Sequence, residues 1–122
     1  EEVLNFNNKL VSNCKILVLG LSYKKNIDDT RESPSFAIID ILLNKKANVQ
    51  YSDPYFSTIP KTRKYNFDLS SIELNAANIR SFDLVLIATD HDIFDYDLIL
   101  KESKVIIDTR GVMNSSKKVF KA

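Results

Sequence analysis

The chain has 122 residues, 44% of them hydrophobic and 10% aromatic, which is enough apolar side chain for one packed domain and too much for a disordered chain. Its 17 basic and 16 acidic residues leave a net charge of +1, and this argues against a dedicated nucleic-acid binder, which needs a basic excess on one face. No apolar run approaches the ~20 residues of a membrane span, the opening EEVLNFNNK has no signal-peptide layout, and a single cysteine, Cys14, excludes an internal disulfide and fits a reducing compartment.

Glu1 to Asn13 carries Val3, Leu4, Leu10 and Val11 at weak helical spacing and reads as the tail of a helix. Cys14 stands just before the first strand. The rest of the chain is organised around the stretch from Lys15 to Pro34, KILVLGLSYKKNIDDTRESP. Ile16-Leu17-Val18-Leu19, closed by Gly20, is a continuous apolar run of the kind buried on both faces of a parallel sheet. A loop comes next, with Tyr23 and the cations Lys24, Lys25 and Arg31. Arg offers a bidentate fork for phosphate, Lys a mobile point charge, and Tyr a ring to stack on a sugar or base. The same loop holds Asp28, Asp29 and Glu32, so a solvated, internally paired loop is the alternative reading. Ser33 at the cap and Pro34 at the first helical position start a helix to about Lys46, with Phe36, Ile38, Ile39, Leu42 and Leu43 on one face.

Asn48 to Ser52 alternates and is expected near a sheet edge. Asp53-Pro54-Tyr55 breaks it. Tyr55 and Phe56 can roof a ligand or pack on the core. Ser57 to Leu69 shows no period and is expected to be mostly loop, followed by a possible short strand at Ser71–Leu74 and a short helix at Asn75–Arg80. Asp83 to Ala88 is a second buried run, ending at Thr89-Asp90-His91. His91, the only histidine, is open to two readings: proton transfer or ligand contact at a strand end, or membership of a capping cluster in which Thr89 or Asp90 bonds backbone N–H groups. A helix is expected from about Phe94 to Lys101, and a last strand at Lys104–Ile107 ending in Asp108-Thr109-Arg110. Arg110 either lies on the rim with Lys24 and Arg31 or ties to Asp108 or Asp90. Asn114 to Ala122 is expected to fray.

Strands alternating with helices predict an α/β fold, a Rossmann-like three-layer sandwich with a mainly parallel sheet. The carboxyl ends of its strands would form a cationic mouth from Tyr23, Lys24, Lys25, Arg31 and Arg110, with helix N-termini at Pro34 and after His91, a natural seat for a pyrophosphate. A second glycine after Gly20 is missing, so the G-x-G-x-x-G fingerprint is absent and the domain is not expected to hold a dinucleotide by itself.

GLSYKKNIDDTRESPSFAIIDIL at 20–42 resembles the opening of the carboxyl-terminal, UDP-binding domain of the UDP-glucose/GDP-mannose dehydrogenase family. YSDPY at 51–55, LVLIATDHDIFDY at 84–96 and VIIDTRGV at 105–112 come after it in that family's order. The resemblance implies a fragment: residues 1–14 as the end of a linker helix from a missing amino-terminal part, and 15–122 as the nucleotide-sugar-binding domain. It implies an NAD-dependent oxidation of the sugar's C6 alcohol to a carboxylate in two hydride transfers, with the catalytic cysteine and most of the NAD site in the missing part. No catalytic residue and no metal site then fall in this chain, and Cys14 lacks the nucleophile's context. Tyr23, Lys24 and Arg110 would bind the UDP-sugar, and Arg31 would approach the NAD pyrophosphate. ATDH followed by DY, with DDTRESP, looks more like the bacterial branch acting on UDP-N-acetyl-hexosamines, whose products feed surface polysaccharides, with UDP-glucose and GDP-mannose as the alternative substrates. A cytoplasmic homodimer or higher homo-oligomer is implied by the same resemblance. Two rivals are a phosphoacceptor domain using Asp53, and a stand-alone nucleotide-binding or oligomerisation module.

Overall fold

The computed structural model describes residues 12–22, 34–59, 65, 67–114 and 116–121. Its elements are β1 (Lys15–Leu19), α1 (Pro34–Asn44), β2 (Asn48–Ser52), α2 (Ala76–Arg80), β3 (Leu84–Ile87), α3 (Tyr96–Glu102), β4 (Ile106–Asp108) and β5 (Val119–Lys121). All five strands are parallel, in the order β2-β1-β3-β4-β5. The order reverses between β1 and β3, so the carboxyl ends of these two strands flank the crevice where open α/β sheets take ligands.

The central strands are buried on both faces because each alternates between two cores. In β1, Ile16 and Val18 enter one apolar cluster while Leu17 and Leu19 enter the other. Leu84 and Leu86 of β3 join the first, Val85 and Ile87 the second. Phe36 and Ile39 of α1 cover the first face, and Ile79 of α2 and Ile99 of α3 cover the second, completing the three layers.

The helix ends follow local chemistry. Pro34 is the first residue of α1, as expected. The helix stops at Asn44, two residues before the expected Lys46, because Lys46 takes a left-handed conformation (φ 67°). The Lys46 N–H then bonds the Leu43 carbonyl and the Ala47 N–H the Leu42 carbonyl, which is a Schellman closure. Helix α3 begins at Tyr96 rather than Phe94. Asp95, not Thr89 or Asp90, is its cap, accepting from the Leu98 N–H at 3.1 Å, while Phe94 turns inward to the second core.

Two segments depart from expectation. Val119–Lys121 does not fray: it pairs with β4 in the register Ile106↔Val119, Ile107↔Phe120, Asp108↔Lys121. Ser71 to Leu74 is not a strand of its own. Single bridges tie Ser71 to Tyr51 and Ser70 to Thr58, laying this segment along the β2 edge. In the loop before it, Tyr65, Phe67 and Leu69 pack on the first core, with Phe36 meeting both aromatic rings edge-on at 5.9 and 6.3 Å. The expected amino-terminal helix lies, over residues 1–11, outside the described residues, and 12–13 form a turn. No helix among the described residues is long and apolar enough to cross a membrane.

Candidate functional site

The site is built where β1, β2, β3 and β4 end together. Gly20, with φ +94°, turns the chain off β1. A Cβ there would sit 2.3 Å from the Thr89 Cβ, so glycine is required both by the backbone and by the approach of the β3 loop. Each described residue after β1 is tied to another element. The Gly20 N–H donates to the Ser52 carbonyl (3.0 Å), and the Ser35 hydroxyl donates to the Gly20 carbonyl (2.9 Å). The Leu21 N–H donates to Asp53 Oδ2 (2.7 Å), and the Thr89 hydroxyl donates to the Ser22 carbonyl (2.5 Å).

Asp53 is the hub. Its side chain is fully buried, and besides Leu21 it accepts from the Tyr55 N–H at 2.7 Å and meets His91 Nε2 at 3.0 Å. The carboxylate is acceptor-only, so the network assigns the ring proton to Nε2. His91 is fully buried against the rings of Phe94 and Tyr55, and Tyr96 Oη donates to its carbonyl at 2.7 Å. Burial and the charges of Asp90, Asp92 and Asp108 push the Tyr96 hydroxyl well above its ordinary value, keeping it a donor. His91 therefore takes neither expected role in the expected form: it is sealed from solvent and pairs with Asp53, not with a helix cap. The phosphoacceptor rival fails on the same geometry, because the carboxylate it needs is enclosed and already bonded. A cavity of about 280 Å³ opens beside this hub, lined by Asp53, Ser71, Glu73, Ile93, Phe94 and Asp95 among others. Tyr55 is half-exposed over His91, whereas Phe56 packs on the core.

Arg110 lies on this rim just beyond β4. Its Nε donates to the Ala88 carbonyl at 2.9 Å, and the Ala88 N–H donates to Leu19 at the end of β1, so the guanidinium is anchored at the crevice. The expected tie to Asp108 exists only through backbone: Asp108 Oδ1 accepts from the Arg110 N–H at 3.0 Å, and among the described residues the ion-pair partner of Asp108 is Lys121. Asp108 also accepts from the Gly111 N–H (2.8 Å) and the Met113 N–H (2.8 Å). Burial alone would raise its carboxyl, but the bonds from Met113, Lys121, Arg110 and Gly111 outweigh burial and hold it below the usual carboxylate range. Tyr23, Lys24, Lys25 and Arg31 lie outside the described residues. The α1 N-terminus stands at this rim through Ser35, whereas the one expected after His91 is displaced to Tyr96 and capped by Asp95. Cys14 is buried at the opposite end of β1, where the Asn48 N–H bonds its carbonyl. No group of three or more His, Cys, Asp or Glu among the described residues is arranged to hold a metal ion.

Sequence reasoning missed Asp53 and Thr89 as site-building residues. Asp53 stood out as a strand-breaking residue, but its partners lie 32 and 38 positions away and no local pattern joins them.

Comparison with known proteins agrees with this architecture. The UDP-glucose/GDP-mannose dehydrogenase family, UDP binding domain, matches residues 17–115. The chain is 34% identical to a UDP-N-acetyl-D-mannosamine dehydrogenase of Methanococcus vannielii over 93% of this chain and 26% of that protein. It is 35% identical to a UDP-glucose 6-dehydrogenase of Rickettsia conorii over 82% of this chain and 24% of that protein. In structure it superposes on a UDP-D-ManNAc dehydrogenase from Pyrococcus horikoshii with a TM-score of 0.72 at 28% identity, covering 98% of this chain and 27% of that one. The chain thus spans about a quarter of the length of the relatives it matches. With its sheet order, its carboxyl-end rim and a match over nearly its whole length, the chain belongs to the UDP-glucose/GDP-mannose dehydrogenase family, whose UDP binding domain it carries.

Proposed function

We propose that residues 15–122 are the nucleotide-sugar-binding domain of an NAD-dependent UDP-sugar 6-dehydrogenase, and that residues 1–14 end a helix linking it to a domain outside this chain. The observation that carries the reading is Arg110, held by its Nε at Ala88 on the edge from which the β1–α1 loop departs. A guanidinium fixed in this way keeps its fork oriented for a diphosphate. Tyr23 and Lys24, in that loop, complete the UDP-sugar site, with Lys24 as the mobile charge on the pyrophosphate.

The described rim does not fit a dinucleotide held in the Rossmann manner. The space over Gly20, where a pyrophosphate would approach backbone, is filled by Thr89. NAD is therefore assigned to the domain outside this chain, together with the catalytic cysteine, and Arg31 is assigned to approach its pyrophosphate across the cleft. The sugar is a UDP-hexose or a UDP-N-acetyl-hexosamine: the ATDH and DDTRESP signatures and the mannosamine dehydrogenases among the relatives favour the second, and the UDP-glucose 6-dehydrogenase the first. The full-length enzyme is a cytoplasmic homodimer or higher homo-oligomer.

The test is a titration of the full-length protein with NAD and a panel of UDP- and GDP-sugars, following absorbance of the reduced cofactor. Reduction of NAD with a UDP-sugar is expected, and this chain alone should produce none. Turnover by the isolated chain, or no turnover by the full-length protein with any sugar of the panel, overturns the assignment. The second outcome leaves a stand-alone nucleotide-binding or oligomerisation module.

A further inference from the structure

We propose that His91 is a positioning residue for nucleotide-sugar binding. Through Asp53 it fixes the Leu21 amide, and so sets where the loop bearing Tyr23 and Lys24 leaves the sheet. The inference rests on the assignment of that loop to the UDP-sugar.

His91 does not touch solvent, so it cannot exchange protons with a bound sugar directly. Among the described residues it is joined to the β1 end through Asp53. One carboxylate oxygen, Asp53 Oδ2, is shared between His91 Nε2 at 3.0 Å and the Leu21 N–H at 2.7 Å. The other, Oδ1, takes the Tyr55 N–H at 2.7 Å. Three loops, from the ends of β1, β2 and β3, therefore converge on a single carboxylate. A buried pair of this kind contributes little net stability relative to apolar packing, and what it supplies is a fixed arrangement of its partners. The carboxylate by itself could rotate about its terminal bond. With His91 on Oδ2 and Tyr55 on Oδ1, both oxygens are committed and the acceptor offered to Leu21 has one position.

Leu21 is a sensitive point to hold. It lies between Gly20, which is pinned by Ser52 and Ser35, and Ser22, which is pinned by Thr89. Tyr23 follows Leu21 by two residues and Lys24 by three. A change in the Leu21 peptide orientation is passed along the chain to the residues assigned to the substrate. Three of the four ties, those from Ser52, Asp53–His91 and Thr89, reach across from the ends of β2 and β3, the strands on either side of β1.

The experiment measures UDP affinity of the full-length protein by calorimetry for His91→Phe, His91→Gln, Lys24→Ala and the double variant Lys24→Ala/His91→Phe. Phe keeps an aromatic ring among Phe94 and Tyr55 but removes the donor, whereas Gln restores an N–H close to the place of Nε2. His91→Phe is expected to weaken UDP by about tenfold or more, the scale of a lost hydrogen bond to a charged group, and His91→Gln to recover most of that loss. In the Lys24→Ala background, His91→Phe should weaken binding only by about twofold further, since residues acting through one another are non-additive. Additive losses overturn the proposal, because they place His91 outside the Lys24 route. Equal losses in His91→Phe and His91→Gln, with equal falls in melting temperature, also overturn it. Weakening in Lys24→Ala beside an unchanged His91→Phe overturns this proposal alone. An unchanged Lys24→Ala overturns the loop assignment and this proposal with it. Should His91→Phe lose its cooperative melt, Asp53→Ala removes the shared acceptor from the other side. A loss of similar size there supports the proposal, and unchanged affinity overturns it.

Discussion

Lys121, in the last strand, reaches Asp108 across the β4–β5 pair, Nζ to Oδ2 at 3.0 Å, and also donates to the Met113 carbonyl. This contact converts a three-residue strand into a clasp on the loop that carries Arg110. The Asp108 carboxylate collects the Arg110, Gly111 and Met113 N–H groups, and Lys121 closes the ring from the sheet edge.

Acid should open this clasp. The Asp108 carboxyl is held below its ordinary 3.8 in the folded chain, so its contribution is fully present above that value. The contribution is lost as pH falls through the lower native value, because protonation then removes an acceptor that the fold uses and the unfolded chain does not. Urea unfolding of the chain as a function of pH should show a fall in stability below about pH 4. Asp108→Asn should flatten that fall, and at neutral pH it should cost about 1–3 kcal/mol for donors left unsatisfied in a buried site. A variant with the same acid limb as the parent would show that Asp108 is not the group responsible.

Gly20→Ala should be among the most damaging single substitutions in the chain. The new methyl would meet Thr89 Cβ at 2.3 Å and backbone Cα at 3.0 Å, and φ +94° is strained for any L side chain. Overpacking and left-handed strain together cost about 3 kcal/mol or more. Thr89→Gly removes the Cβ and Oγ1 that clash but not the strain, and it also removes the bond to Ser22, so Gly20→Ala should cost less in a Thr89→Gly background than in the parent when each pair is compared in a urea melt. An equal cost of Gly20→Ala in both backgrounds would locate the whole penalty in the backbone.

Lys46→Gly should stabilise. Lys46 supplies the left-handed residue of the α1 closure with a side chain that opposes it. Glycine adopts that conformation without the Cβ penalty, and the position lies outside the helix interior where glycine is costly. A gain of about 0.5–1 kcal/mol is expected, after the entropy glycine returns to the unfolded chain. A loss in the urea midpoint would mean that the lysine side chain makes a contribution larger than the strain.

The elements that were legible in the sequence are those whose signal is local. β1 and β3 are continuous apolar runs, and β2, read as Asn48 to Ser52 near an edge, is the edge strand over those residues. Pro34 marked the start of α1. β5 was not legible, because Val119-Phe120-Lys121 has no period of its own and exists as a strand only through pairing with Ile106 and its neighbours. Asp95 was hidden among Asp90, Asp92 and Asp95, three capping residues within six positions, where tertiary packing of Phe94 decided the register of α3. The rim position of Arg110 followed from a parallel sheet, whereas the Asp53 hub joins residues dozens of positions apart and shows only in three dimensions.

Arg110→Lys should cost most of what Arg110→Ala costs, although it conserves charge. The guanidinium is held by Nε at the Ala88 carbonyl, and a lysine has no nitrogen at that point of its side chain. The substituted ammonium would have to choose between the Ala88 anchor and a diphosphate, and it would offer the diphosphate a point charge in place of a fork. UDP affinity of the full-length protein should fall by about tenfold for Arg110→Lys, the scale of one charge-assisted hydrogen bond, and only modestly further for Arg110→Ala. Folding should be nearly unaffected in Arg110→Lys, because the loop is held by the Arg110 backbone N–H on Asp108, which the substitution keeps. Affinity equal to the parent in Arg110→Lys would mean that charge alone is read at this position, and the oriented-fork assignment would have to be given up.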